Sequence, residues 1–322
     1  MALASLEEAR KHLADKDTLV WLDFEGVLGE AGLEMLRATF DFHDLALEDA
    51  AKPTDGEASR QRPKIEEYDD YFFLVMQALS SQIEDNLVRL SKHEIDLFAG
   101  ANYVVTVHQD DIPELDAVWR DAQKRPGLMS CGSDRLVYHL VDAVVDHYLE
   151  IVDGIEDVLD ELGDTVIDPR YGRDAVRDIF TLKRELINFR RAAAPLRDVI
   201  NQMTTRNFPF VNGDTQPYLR DVYDHLIRLS DMLDTYRDIL TGALDVHLSA
   251  VSNSLNLVMK RLTVVATIFM PLGFITGFWG MNFTDFMPLE NSIWWWGSIM
   301  VMFLLTIGMV IYLSYSWVRK WM

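Results

Sequence analysis

Two uninterrupted apolar runs near the C-terminus limit what this chain can fold into. Leu262 to Met281 is 20 residues without a formal charge, and Ile293 to Trp317 is 25. Each reaches the roughly 20 residues that an α-helix needs to cross about 30 Å of hydrocarbon. Charged side chains make up 25% of the 322 residues, yet the 61 positions from Leu262 onward hold only Asp285, Glu290, Arg319 and Lys320. A purely water-soluble protein is excluded, and the lipid bilayer becomes the first expected partner.

The charges divide at the same place. Residues 1–259 have a formal charge of −23 and residues 260–322 of +2. Lys260 and Arg261 stand just before the first run and Arg319 and Lys320 just after the second, whereas the connector carries only Asp285 and Glu290. The positive-inside rule then places both basic flanks, both termini and the acidic body in the cytoplasm, which predicts a multi-pass protein of a bacterial-type inner (plasma) membrane. The acidic body repels polyanions, so no nucleic-acid partner is expected, and cations are drawn to it instead. The first 17 residues contain no apolar signal-peptide core. The single cysteine, Cys131, has no internal disulfide partner.

The first part of the chain reads as an α+β domain over residues 1–132. Thr18 to Phe24, Tyr71 to Leu79, Leu87 to Phe98 and Tyr103 to Val107 are short, aromatic and β-branched, as strands are. Gly32 to Ala38, Leu45 to Ala50 and Pro113 to Ala122 have helical composition, and Lys52 to Arg62 reads as a loop. Residues 133–216 read as a helical hairpin. Its first arm, Leu136 to Pro169, holds ten acids and no Lys or Arg, and its second carries Arg173, Arg177, Lys183, Arg184, Arg190, Arg191 and Arg197. An antiparallel arrangement sets acid beside base.

Residues 217–281 read as one long stalk helix that continues into the first span. Leu219, Val222, Leu226, Leu229, Leu233, Tyr236, Leu240 and Ala243 repeat at alternating steps of three and four, a heptad seam awaiting partner helices. No proline interrupts the chain between Pro217 and Pro271. At about 1.5 Å per residue such a helix is on the order of 95 Å long. Within it Asn256, Met259, Leu262, Ala266, Met270, Gly273 and Gly277 share one face. One such stripe encloses nothing, but several copies around an axis line a pore with a hydrophobic constriction. Ordinary helix packing through small residues explains the stripe equally well. Residues 282–292 form the external loop, 293–317 the second span and 318–322 a cytoplasmic tail. Trp294, Trp295 and Trp296 at one end of that span, and Tyr312, Tyr315 and Trp317 at the other, read as interfacial anchors.

The first apolar run ends in Phe278-Trp279-Gly280-Met281-Asn282-Phe283. This resembles the signature of the CorA magnesium channel family, in which a Gly-Met-Asn tripeptide closes the first of two C-terminal spans. Similar text runs through Asn256 to Thr263, Ala266 to Leu272, Asp221 to His225, Leu244 to Ser249 and Arg62-Pro63-Lys64. The resemblance implies a funnel-shaped homopentamer whose five first-span helices line one pore. It implies Gly280, Met281 and Asn282 as the selectivity filter, with Asn282 holding Mg²⁺ through its water shell. Mg²⁺ surrenders its waters reluctantly, so a ring of neutral amides suits it better than carboxylates. It also implies Asp245 near the cytoplasmic pore mouth, and Asp221 near a regulatory divalent ion between subunits. The counterpart of Asp221 falls near Gln82, Glu84 and Asp85, where the family pattern is altered. Gly273 stands where the family often has threonine, and Glu290 lies one place later than its usual acid.

Mg²⁺ is the expected cargo, with Co²⁺ and Ni²⁺ as further candidates. A Zn²⁺ transporter of the related ZntB branch, coupled to protons, is the alternative, and a non-conducting divalent-sensing scaffold is a third reading. No HExxH, P-loop or GxSxG occurs, so no enzyme is expected. By spacing alone the histidines form no metal-binding cluster, and each reads as a surface or packed residue.

Overall fold

The aromatic and β-branched segments of the N-terminal part pair into a five-stranded sheet, β1 (Val20–Glu25), β2 (Lys64–Glu67), β3 (Tyr71–Glu84), β4 (Leu87–Gly100) and β5 (Tyr103–His108). This is a computed structural model, and it describes residues 11–15, 18–52, 61–84, 87–166, 172–205, 211–280 and 292–319. The strand order is β1-β5-β4-β3-β2. β1 runs parallel to β5 and the other neighbours are antiparallel. The strands at Thr18 to Phe24, Tyr71 to Leu79, Leu87 to Phe98 and Tyr103 to Val107 are thus present. β2, Lys-Ile-Glu-Glu, escapes a reading by apolar pattern because it is a short, half-buried edge strand, and charge at an edge is what edges tolerate.

The first nine residues of β3 read as an apolar run because both faces are covered there. Phe72, Leu74, Met76 and Ala78 join a large core, while Tyr71, Phe73 and Val75 join a second one on the opposite face. The smaller core is closed by α1 (Glu30–Phe40) and α2 (Asp44–Ala51), through Leu36, Ala46, Leu47 and Ala50. The larger is closed by α3 (Pro113–Lys124), the single-turn α4 (Pro126–Met129), α5 (Ser133–Val166), α6 (Gly172–Thr205) and the first part of α7 (Gln216–Trp279). The β4–β5 turn is tight. A side chain at Gly100 would bring its Cβ to 2.4 Å from the Tyr103 ring.

The chain divides into two compact units, Met1–Asp245 and Val246–Met322. In the first, the seam expected on the stalk helix is buried from Leu219 to Leu240, in the same core as Leu140 and Val144 of α5 and Phe189 and Leu196 of α6. Tyr148 of α5 packs edge-on against Phe189, ring centroids 5.3 Å apart, and its hydroxyl donates to the Gln77 carbonyl of β3. The hairpin's charges are spent partly on α7. Arg190 pairs with Asp234, and Glu156 accepts the Tyr236 hydroxyl at 2.7 Å. Histidines on the sheet find partners close by. His93 links Ser80 to Asp110, and His108 links Asp23 to the Asp110 carbonyl.

The second unit comprises the rest of α7 and α8 (Ser292–Arg319). Among the described residues none of its apolar side chains is buried, and Phe269, Met270, Phe274, Ile293, Trp296, Phe303 and Tyr312 are exposed.

Phe189 fills the junction of sheet, α5 and α6, so Phe189→Ala should lower the unfolding free energy by about 3–5 kcal/mol. The same truncation at Phe180, on the exposed face of α6, should change it by no more than about 0.5 kcal/mol. Urea titration followed by circular dichroism measures both, and equal losses would refute this assignment of the core.

Candidate functional site

α7 is unbroken through Pro271 and ends at Trp279. Proline removes one backbone donor and crowds the carbonyl four residues back, but this helix continues for two further turns. Among the described residues one helix, Gln216–Gly277, is long and apolar enough to cross a membrane by length and composition, and none of its apolar window is buried. On the same measure the apolar stretch of α8 is shorter, Ile299–Met309. The expectation of a second span therefore rests on the sequence.

The stripe read from the sequence lies on α7 as predicted by helical spacing. Asn256, Met259, Leu262, Ala266, Met270, Gly273 and Gly277 are all exposed, with Met259 at 57%, Leu262 at 67% and Met270 at 75%. On an α-helix turning about 100° per residue they fall within an arc of roughly 120°. Three threonines in this stretch spend their hydroxyls on the helix itself. Thr263 donates to Met259 O, Thr267 to Thr263 O and Thr276 to Leu272 O, at 2.7–3.0 Å. No charged side chain lies between Arg261 and Asp285. A Cβ built at Gly273 or Gly277 would meet nothing within 4 Å. Among the described residues, then, no neighbouring element requires glycine there.

Gly280 follows the last turn, its N–H donating to Thr276 O at 2.9 Å. Met281 and Asn282, the rest of the expected filter, lie outside the described residues, as do 283–291 of the expected loop. Asp245 is exposed on α7, at the end of the first unit.

A second group lies in the first unit. Asp142 and Asp146, one turn apart on α5, meet His225 of α7, and one ligand atom from each lies within 4.8 Å of the others. Tyr138 hydrogen-bonds the Asp142 carboxyl. Burial, followed by the charge of Asp146 and the more distant Asp221, pushes Asp142 above the usual carboxylate range, against the opposing effects of Tyr138 and His225. Among the described residues the buried His225 Nδ1 has no hydrogen-bond partner. Arg135 lies 3.2 Å from the centre of the Tyr218 ring and 5.1 Å from that of Tyr138, which holds this aromatic pair against α5.

Asp221 is exposed one turn before His225 and is not one of the three grouped residues. Spacing along the chain left His225 as a packed or surface histidine, because its partners come from another helix. The usable signal was two i, i+4 pairs, Asp142 with Asp146 and Asp221 with His225, on helices expected to pack together. Gln82 and Glu84 are exposed at the end of β3, and Asp85 lies outside the described residues.

Known proteins similar to this chain fall in one group. A family model described as CorA-like Mg²⁺ transporter protein matches residues 16–320. The chain is 35% identical over 309 residues to the cobalt/magnesium transport protein CorA of Thermotoga maritima, covering 96% of this chain and 85% of that one. It is 24% identical over 267 residues to the zinc transport protein ZntB of Yersinia enterocolitica, covering 81% and 77%. Its fold matches the complete structure of the CorA magnesium transporter from Methanocaldococcus jannaschii with a TM-score of 0.77 and 25% identity, over 91% of this chain and 89% of that chain.

If Asp142, Asp146 and His225 hold a divalent ion, saturating Mg²⁺ or Co²⁺ should raise the melting temperature of the purified protein. At a hundredfold excess over the dissociation constant the stabilisation is about 2.7 kcal/mol. The double variant Asp142→Asn, Asp146→Asn should lose most of that increment, and an unchanged increment would remove the group from consideration.

Proposed function

From the premise that this chain belongs to the family of CorA-like Mg²⁺ transporter proteins, and is a divalent cation transporter of that family, we propose that it is a homopentameric channel carrying Mg²⁺ along α7. The observation that carries this reading is the exposed, uncharged face from Asn256 to Gly277, with glycine positions that open onto empty space in the single chain. A face of this kind is stable in neither water nor an isolated helix. It becomes so when copies of itself close around an axis and lipid covers the rest. α8, from Ser292 to Arg319, is the second, lipid-facing span, and both termini lie in the cytoplasm of a bacterial-type plasma membrane.

In this reading the ion enters hydrated. The amide ring of Asn282, with backbone carbonyls around Gly280, accepts hydrogen bonds from the waters of Mg²⁺ without stripping them, and Met281 packs behind that ring. Leu262 and Met270 form constrictions that hold water out of the closed pore. Asp245 gathers cations at the cytoplasmic mouth. No step needs chemistry on a substrate, and the membrane potential supplies about 2.3 kcal/mol per charge for each 100 mV.

Asp142, Asp146 and His225, with Asp221 alongside, are the site at which a cytoplasmic divalent ion regulates opening. With the ion present the carboxylates are neutralised. On its loss they repel, and the closed bundle loses a restraint on α7. Co²⁺ and Ni²⁺ are further cargo candidates, because a filter that holds the hydrated ion reads size and charge rather than ligand softness.

Reconstituted protein should show Mg²⁺ uptake that follows membrane potential and ignores an imposed pH gradient. Asn282→Ala should lower it roughly tenfold, equivalent to about 1.4 kcal/mol in barrier height. Zn²⁺ entry that rises with a proton gradient would instead assign the chain the transport mode of a zinc carrier. No flux of any divalent ion through folded pentamers would replace the channel by a membrane-anchored divalent sensor.

A further inference from the structure

The layer between the sheet and α2 contains polar groups that ion transport does not use. Asp96 of β4 lies between Val75 of β3 and Val107 of β5 and is 4% exposed. Gln77, also 4% exposed, pairs with Glu94 two residues along β4. Residues two apart on a strand share a face, so Gln77 and Asp96 are diagonal neighbours on the same side of the sheet.

Gln77 Nε2 donates to the Gln61 carbonyl, which can only accept. That contact sets the amide's orientation and leaves Oε1 turned elsewhere. Among the described residues neither Gln77 Oε1 nor Asp96 Oδ1 has a hydrogen-bond partner. A buried acceptor left unpaired costs roughly 1–3 kcal/mol, and here two acceptors on diagonal side chains are unpaired together.

The surrounding charges do not favour an ionised Asp96. Glu94 faces it from its own strand, Asp49 from α2 and Lys64 from β2, while β3 and β5 contribute Val75 and Val107 directly opposite. Lys64 is engaged by Asp49 at 2.5 Å and Glu66 at 2.6 Å. Glu94 accepts hydrogen bonds from the backbone and side-chain nitrogens of Gln61, so it is held as an acceptor close by. Burial first, then Glu94 and Asp49, push the Asp96 carboxyl well above the ordinary aspartate range, with Lys64 opposing them.

We propose that Asp96 is a buried proton-binding site, kept as a neutral carboxylic acid whose O–H donates to Gln77 Oε1. One proton then converts two orphaned acceptors into one hydrogen bond and removes a third negative charge from beside Glu94 and Asp49. The folded chain holds this proton more tightly than the unfolded chain, whose aspartate releases it near 3.8. Its stabilising contribution is therefore complete below that pH and is lost as pH rises through the raised folded value. The sheet of the first unit is in this way coupled to cytoplasmic pH, independently of the pore and of the divalent site.

Infrared difference spectroscopy on the full-length protein in detergent at neutral pH tests this directly. The wild type should show the carbonyl stretch of a protonated carboxylic acid, and Asp96→Asn should lose it while staying folded, because the Asn Nδ2–H donates to the same Gln77 oxygen. Gln77→Leu should keep the band but move it to higher wavenumber, since the O–H loses its acceptor. A wild-type spectrum that Asp96→Asn leaves unchanged, or a difference confined to carboxylate bands, overturns the proposal. If Asp96→Asn does not fold, Gln77→Leu decides alone: a shifted band supports the proposal, and an unshifted or absent one overturns it.

Discussion

Leu219, Val222, Leu226, Leu229, Leu233, Tyr236 and Leu240 are buried along one face of α7, in the core that α5 and α6 complete beneath the sheet. A helix sixty-four residues long gains little from propensity alone, since most helical stability in proteins comes from packing an apolar face. That seam holds α7 in register, and register decides which side chains the helix presents. His225 of α7 meets Asp142 and Asp146 of α5 because the seam packs the two helices together. After Asp245 the buried seam ends, and the same helix presents Leu, Met, Phe and Gly outward. An apolar face of that extent has no soluble explanation, because exposed patches on soluble monomers rarely exceed a few hundred Å².

Much of this could be read from residue patterns, and the places where it could not share a cause. β3 was legible because its first nine residues are covered on both faces and form an apolar run, β4 through its partial alternation, and the α7 seam because its period is that of a helix with one buried side. β2 was not, since an edge strand of Lys-Ile-Glu-Glu needs no apolar alternation. The stripe from Asn256 to Gly277 was legible as a face, whereas its significance was not. Only coordinates show that a Cβ at Gly273 or Gly277 would meet no other element within 4 Å among the described residues. His225 went unread because a group assembled across two helices has no single spacing in the chain. Its partners lie some eighty residues earlier, and nothing but tertiary packing brings them within 4.8 Å. Asp96 was hidden in the same way. A single acid in an apolar strand says nothing until the unpaired oxygen of Gln77 is found beside it.

Charge is also distributed unevenly between the acidic first unit and the exposed face of α7. The formal charge of −23 on residues 1–259 raises the local concentration of cations around the first unit. If the same carboxylates continued along the exposed face of α7, a divalent ion would be bound firmly and would not pass. Between Arg261 and Asp285 there is none. Three acids of the first unit have a specific setting: Asp142 and Asp146 on α5 beside His225, and Asp96 in the sheet. Asp142 is partly buried and Asp96 buried, whereas Asp146 is exposed; burial makes a charge costly, so its neutralisation is felt by the fold. Burial is thus what would let neutralisation of Asp142 or Asp96 alter the packing of α5, α7 and the sheet, whereas the exposed face of α7 has no charge between Arg261 and Asp285 to neutralise.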